Sequence, residues 1–453
     1  MQQKIETEEQ LSDNSGIVTV GLEEKLSPVR GFLYGLQHVF VSNVWLDPVF
    51  VTAMIGLSFA LAANMVNAIF IAAGLVTLVQ ATRLVRLPVV QGPSAAFDSL
   101  MISAGKANGL AAAGGGIVLS GIIIFILAIT GLLGKLKSFF TAVVSGSVIL
   151  IVGVALSGFT LSLYLGGDPG SKTFLDGKTL TISVATSLIV LFLSVFGTGM
   201  LRSYSFLIAL VAGDVIAFLL GEVNFSKVAT SGWFGLPHIL PYGALKFDWV
   251  SFGTFFFAYI VAVFEAMGVY HAAAEMVNAP LDNKRIRKGF AGESIGSIIS
   301  TLIGGFPTTG FGQNVGLIRL TGVGSRHAVK AAGIIFLVLG FIPKAGAMLA
   351  VTPDAVVGGI FLPAAASLIF TGINILGKMK KTEANFMIAG LSILLSIALP
   401  NYFTNVHGFL GKFLSNTILV GAVTAILLQL VLVNIPSWLG INKERGKNNE
   451  ERI

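Results

Sequence analysis

Long apolar runs separated by short polar stretches recur down the whole chain, and most can cross a hydrocarbon layer of ~30 Å as helices. The pattern predicts fourteen membrane-spanning segments, at 31–62, 65–82, 88–106, 109–134, 137–160, 179–197, 202–221, 250–273, 288–304, 307–323, 327–350, 354–376, 384–400 and 415–436. The first is over-long and contains Asp47-Pro48, which predicts a kink or a tilt. Residues 1–28 and 437–453 read as polar tails around a transmembrane domain at 29–436. The stretches 161–178 and 222–249 read as loops, and none is long enough for a second folded domain. An all-α membrane protein follows from this pattern.

Two segments break the apolar pattern in the same way. Segment 3 opens Leu87-Pro88-Val89-Val90-Gln91-Gly92-Pro93-Ser94-Ala95-Ala96-Phe97. Segment 10 opens Phe306-Pro307-Thr308-Thr309-Gly310-Phe311-Gly312-Gln313-Asn314-Val315-Gly316. Hydrocarbon cannot satisfy the backbone groups that proline and glycine leave unpaired, so such stretches are tolerated only inside protein or along a water-filled cavity. In transporters they mark the substrate site.

Each broken stretch reads as a short extended strand followed by a half-length helix, and each is third in a set of seven. An odd number of segments per repeat turns the second copy over, which predicts two inverted repeats. About six extended residues at ~3.3 Å and about ten helical ones at ~1.5 Å reach roughly 35 Å, enough to cross. The two half-helices then meet near the midplane with their N-termini facing a shared cavity. Free N–H groups and the positive end of the helix dipole suit an acceptor-rich ligand there.

Composition narrows the class. The chain is 54% hydrophobic and 11% charged, with a mean hydropathy of +0.86; soluble domains carry roughly 25% charge. The net charge of +7 lies in short loops with no basic face, which argues against nucleic acid as a partner. With no Cys there is no disulfide, thiol nucleophile or Cys-ligated metal. No pair of catalytic carboxylates, His-rich metal set or Ser/His arrangement appears, so an enzyme is not expected, and no cofactor is called for.

Orientation follows from Lys and Arg. With the N-terminus in the cytoplasm, 21 of the 29 fall in cytoplasmic loops and tails, seven fall outside, and Arg319 lies within a segment. That bias predicts cytoplasmic termini and a multi-pass protein of the cell membrane. The first residues, with Glu6, Glu8, Glu9 and Asp13, read as a tail and not as a cleaved signal.

Segment 8 carries Glu265 alone among apolar residues. A carboxylate costs several kcal/mol at the bilayer centre, so a role is the default expectation. Glu265 can accept two N–H bonds and Gln313 offers a donor and an acceptor, which together match a planar heterocycle with alternating N–H and C=O groups.

At this point the residues resemble a known family. Gln313-Asn314-Val315-Gly316-Leu317-Ile318-Arg319-Leu320-Thr321-Gly322 fits the nucleobase–ascorbate transporter signature in full. That signature reads Gln, Glu or Pro, then Asn-x-Gly-x-x-x-x-Thr, then Arg, Lys or Gly. The resemblance extends to Gln37-His38 in segment 1 and to the run from Gly92 to Phe97 in segment 3. It implies a core domain (segments 1–4 and 8–11) moving against a gate domain (segments 5–7 and 12–14), and a homodimer. It also implies nucleobase uptake coupled to protons, or less often to sodium.

Carried over by position, Glu265 resembles the essential substrate carboxylate and Gln313 the second substrate ligand. A Gln there accompanies xanthine or urate, whereas a Glu accompanies uracil. Asn314 resembles the supporting amide, Ala95 and Gly312 the backbone N–H donors, and Phe311 a residue lining the site. Glu293 matches an acidic position in segment 9, and His38 the segment 1 histidine.

The chain also departs from the family. Val269 stands where His or Asp is common, four residues after Glu265, and Asp98 has no counterpart. Asp98 follows Ser94 by four positions, so the two share a face of the half-helix. If that face lines the cavity, Asp98 is a coupling acid replacing the group missing at Val269. Otherwise it is an acid turned toward the loop at the segment's end, with no such role. An anion transporter of the sulfate-permease-like type on the same architecture is the alternative, but Glu265 would repel an anion. A channel fits less well than a carrier, because a carboxylate and an amide on broken helices suit occlusion better than a continuous pore.

Overall fold

The computed structural model describes residues 18–439, apart from 108, 136–138, 140 and 407. Most of the expected tails (1–17 of 1–28 and 440–453 of 437–453) and part of the start of segment 5 therefore lie outside the described residues. Among those described, eight helices are long and apolar enough to cross a membrane, or nine if one bent pair counts as a single span. The chain is a multi-pass, predominantly helical membrane protein. It divides into two compact units, one of residues up to 131 plus 158–364, the other of 132–157 plus 365 onward.

The over-long first segment is two helices. Helix α1 (Pro28–Ser42) starts behind Ser27, whose hydroxyl accepts from the Arg30 N–H, and has proline in its first turn. It stops at Asn43, in the left-handed region at φ 53°. Helix α2 (Leu46–Ile55) carries Asp47 in its first turn and ends at Gly56, φ 71°. The expected segment 31–62 therefore closes at Ile55, and α3 (Phe59–Thr82) begins four residues later.

Strand β1 (Gln91–Pro93), a 3₁₀ turn (Ala95–Phe97) and helix α4 (Asp98–Lys106) follow, then α5 (Leu110–Ile129). Helices α6 (Ala142–Leu165), α7 (Gly177–Phe196) and α8 (Ser205–Leu219) precede the long α9 (Trp249–Met276) and α10 (Asn283–Leu302). Strand β2 (Thr308–Gly310) and helix α11 (Gly312–Thr321) repeat the strand-then-helix plan.

Helices α12 (Arg326–Gly340) and α13 (Pro343–Ala350) were expected as one segment, 327–350, but the chain bends between them by 81°. The bend has a local cause. Pro343 lacks an N–H for the helix ladder, and its ring pushes Ile342 out of the helical region, to φ −105°, ψ 97°.

In the first unit α3 packs closely on α12 through glycine. A Cβ on Gly74 would lie 2.6 Å from Leu337 N, and one on Gly333 would lie 3.0 Å from Gly74 O. Between helices in lipid, where dispersion must replace the hydrophobic effect, such close approach is the main source of attraction.

Strands β1 and β2 form a fully buried antiparallel ribbon, pairing Gln91 with Gly310, Gly92 with Thr309 and Pro93 with Thr308. A two-stranded ribbon leaves two outer edges unpaired, and buried edges need partners. Thr77 Oγ1 on α3 accepts from Gln91 N at 2.8 Å on one edge. Ser297 Oγ on α10 accepts from Thr308 N at 3.0 Å on the other. Ser94 N donates to Pro307 O and Phe311 N to Val90 O, both at 2.9 Å, which extends the pairing.

The second unit contains the start of α6, the end of α14 (Asp354–Gly377), α15 (Glu383–Ala398) and α16 (Thr417–Gln429). Helix α16 runs on through a π-helical turn, Leu430–Asn434. Thr141 Oγ1 donates to Gln429 Oε1 at 3.2 Å, and Gln429 Nε2 to Asn434 Oδ1 at 3.0 Å, so polar groups there are satisfied in a chain.

Candidate functional site

All the residues singled out as ligand-holding or supporting fall in the first unit, around the ribbon. On the β2 side, Phe311 precedes α11 and makes no side-chain cap, so the first N–H groups of the helix have no capping partner. Gly312 and Gln313 are exposed at that helix start. Gln313 Nε2 donates to Ser42 O at 3.0 Å. Asn314, fully buried, donates from Nδ2 to His38 O at 2.9 Å and contacts His38 Nδ1 at 3.1 Å, which accepts when the ring proton is on Nε2. The two amides thus tie α11 to α1. The tip of the Phe311 ring rests on Gly92 across the ribbon, where a Cβ would lie 2.5 Å from Cζ.

On the β1 side, Ser94 stands where a capping serine would stand, yet it makes no cap. Its hydroxyl donates instead to Glu265 Oε2 at 3.1 Å. Ala95 follows at the head of the 3₁₀ turn, half-buried. Phe97 anchors that turn on α9, edge-on to Tyr259 at 5.2 Å and stacked on Phe255 at 6.2 Å.

Val269, one turn after Glu265, packs on the junction of β2 and α11. Cβ atoms built on Gly310 and Gly312 would lie 3.3 and 3.7 Å from its methyl groups. The apolar residue at this departure from the family pattern therefore fills space against the opposite arm.

Glu293 is 6% exposed and accepts from the Tyr270 hydroxyl at 2.7 Å. Gln80 Nε2 donates to Tyr270 Oη at 3.2 Å and to Gly289 O at 2.7 Å. This network joins α3, α9 and α10 behind the ribbon. Asp98 is 0% exposed, and neither of its carboxylate oxygens has a hydrogen-bond partner.

Residues 30–405 match the model of a permease family for xanthine and uracil. The chain belongs to that family. A uric acid permease, PucK, of Bacillus subtilis is 32% identical over 420 residues, covering 90% of this chain and 96% of that protein. A putative purine permease of Clostridium perfringens is 30% identical over 426 residues, covering 92% and 93%. Among solved structures, the transmembrane domain of the cyanobacterial bicarbonate transporter BicA superposes with a TM-score of 0.61 at 17% identity, covering 90% of this chain and all of that one. That likeness concerns the fold alone.

Within this permease chain the geometry joins Glu265 to Ser94, Asn314 to His38 and Gln313 to α1. Glu293 belongs to the Tyr270 network and also interacts with Gln91 and Gly310 of the ribbon. Sequence reading did not single out Ser94, Tyr270 or Gln80 as partners. Their one signal was polarity inside apolar runs, shared with many serines and threonines that bond only to their own helix.

Proposed function

We propose that this permease is a secondary active transporter that imports a nucleobase, a purine such as xanthine or urate in preference to uracil, by proton symport with alternating access. The observation that carries this reading is the pairing of a membrane-depth carboxylate, held by Ser94, with an uncapped helix start bearing Gln313. A xanthine-like ring donates N–H bonds to Glu265, and a charged acceptor makes such bonds about twice as strong as neutral ones. Its carbonyls accept from the N–H groups at Gly312 and Ala95. With Gln313 Nε2 engaged by Ser42, its Oε1 remains for a ring N–H. Phe311 forms the floor, and Asn314 and His38 hold α11 in place.

The frame of this proposal is fourteen segments in two inverted repeats, with half-helices in segments 3 and 10. Segments 1–4 and 8–11 form the core that moves against a gate of segments 5–7 and 12–14. The working unit is a homodimer in the cell membrane with both termini cytoplasmic. The names of the uric acid and purine permeases support a nucleobase. The alternative, an anion transporter of the sulfate-permease-like type on the same fold, is disfavoured by the charge of Glu265.

The test is uptake by a strain lacking its own base carriers. Labelled xanthine, urate, uracil, guanine, adenine and bicarbonate are each offered, then competed against one another. Saturable purine uptake that collapses with the proton gradient is expected. Bicarbonate uptake without base uptake would overturn the reading.

A further inference from the structure

Asp98 has a neighbour that sequence distance hides. Helices α2 and α4 pack side by side. Ile55 at the end of α2 lies against Gly105 near the end of α4, where a Cβ would find no room. Ile55 is eight residues after Asp47, and Gly105 seven after Asp98. The helices therefore run parallel, with Asp47 and Asp98 in their first turns at the same end. Asp98 interacts electrostatically with Asp47 and with Glu265, and Asp47 with Glu265 as well.

The charges around Asp98 do not compensate one another. Helix α2 offers Asp47 alone, α5 and the 3₁₀ turn carry no ionisable residue, and α9 contributes Glu265 and the neutral Tyr259. Lys106 sits at the opposite end of α4. A fully buried carboxylate without a hydrogen bond is costly to hold as an anion, and two further acids nearby add to that cost. Two helix N-termini favour some negative charge at this spot, though not three full charges. A proton relieves the excess, as when two carboxyl groups share one.

We propose that Asp98 and Asp47 form a proton-carrying pair, distinct from the substrate carboxylate Glu265, through which proton movement is coupled to substrate movement. This rests on the symporter reading above. The pair accepts one proton from the outer side while Glu265 engages the base, and it releases that proton to the cytoplasm as the base leaves. Repulsion among the three acids links the two sites: a proton on the pair lowers the cost of the charge that Glu265 needs to bind the base.

The experiment uses full-length protein in proteoliposomes. Asp98→Asn is expected to retain counterflow of labelled xanthine or urate within about twofold, while accumulation driven by an imposed pH gradient falls at least tenfold. Asp47→Asn is expected to reduce the driven accumulation less and to shift its pH profile. Parental accumulation by Asp98→Asn would overturn the proposal. So would loss of counterflow with unchanged thermal stability, which would move Asp98 into the substrate site, and so would accumulation driven by sodium and not by pH.

A second measurement needs no transport. The infrared spectrum of the parent at neutral pH should contain the carbonyl band of a protonated carboxyl free of hydrogen bonds, reduced in Asp98→Asn. If that variant does not fold, the same band in the parent is tested for a shift on adding xanthine. Absence of the band, or of the shift, overturns the pair. If the parent carries no base, the transporter reading fails by itself, and the band alone decides whether a protonated site exists.

Discussion

The two arms that meet in the ribbon, β1 with α4 and β2 with α11, share a backbone plan and differ at their helix starts. On the β1 arm the turn is buried, Ser94 bonds Glu265, and the first residue of α4 is an acid without a partner. On the β2 arm the helix start is open, and its polar side chains are amides tied to α1. Charge thus gathers on one arm and neutral donor–acceptor groups on the other. A carrier needs both a group that responds to a driving cation and a group that reads its substrate. The difference suggests that these tasks are divided between arms of one frame.

The largest effect should come from Glu265 on α9, the carboxylate that the β1 arm holds through Ser94. Glu265→Gln keeps the shape, and its amide still accepts from Ser94, but the full charge facing the base is gone. Uptake is expected to fall at least a hundredfold, with the protein at parental abundance in the membrane, since charge-assisted bonds account for ~1.5–3 kcal/mol each. Labelled-base uptake normalised to membrane abundance is the measurement. Uptake within threefold of the parent would remove Glu265 from the site and leave Asp98 as the one acid that distinguishes the two helix starts.

Next in size is the contact that joins the arms. A side chain at Gly92 must displace the Phe311 ring, 2.5 Å from where its Cβ would sit. Gly92→Val is expected to lower stability by ~1–3 kcal/mol, the usual range for overpacking. Adding Phe311→Ala should recover part of the loss. Thermal unfolding of the detergent-purified single and double variants tests this. Unchanged stability of Gly92→Val would mean that the arms do not lean on each other here.

These expectations separate what the sequence made legible from what it hid. The ribbon residues were legible, because Pro88, Pro93 and Pro307 with their neighbouring glycines cannot continue a helix. Glu265 was legible because a carboxylate stands out in an apolar run, and Gln313-Asn314 because the family signature covers them. The nearness of Asp47 to Asp98 was not, since it depends on the parallel packing of α2 on α4, and Asp47 read only as part of a kink. The bend at Ile342-Pro343 was in plain sight but lost in a run apolar enough for one span. The Tyr270–Glu293–Gln80 network spans three helices, and no local pattern links its members.

The neutral arm should give a shift of preference and not a loss. Gln313→Glu removes the donor to Ser42 O and turns the side chain into an acceptor only. Competition against labelled xanthine is expected to move by about tenfold toward uracil, equivalent to ~1.4 kcal/mol. An unchanged competition profile would place substrate reading elsewhere and dissolve the proposed division between the arms.

The smallest effect concerns the polar segment that touches the flanks of both arms. Glu23 pairs with Arg86, just before β1, at 2.9 Å, and with Arg326, at the start of α12 just after α11, at 2.6 Å. Val20 bridges to Val323 beside it. The bonds from Arg326, and then the nearby charge of Arg86, hold the Glu23 carboxyl below its ordinary range. A carboxyl depressed in the folded state contributes stability above its unfolded pKa and loses it as pH falls through the folded value. With Glu23 half exposed, the contribution is at most ~1 kcal/mol and screened by salt. Glu23→Gln should therefore lower thermal stability slightly at neutral pH and low salt. The difference should fade as pH falls below the ordinary carboxylate range and in high salt, with transport within twofold of the parent. A large transport defect in this variant would mean that the arms communicate through this N-terminal segment, and that the division of tasks across the ribbon is not set by the ribbon alone.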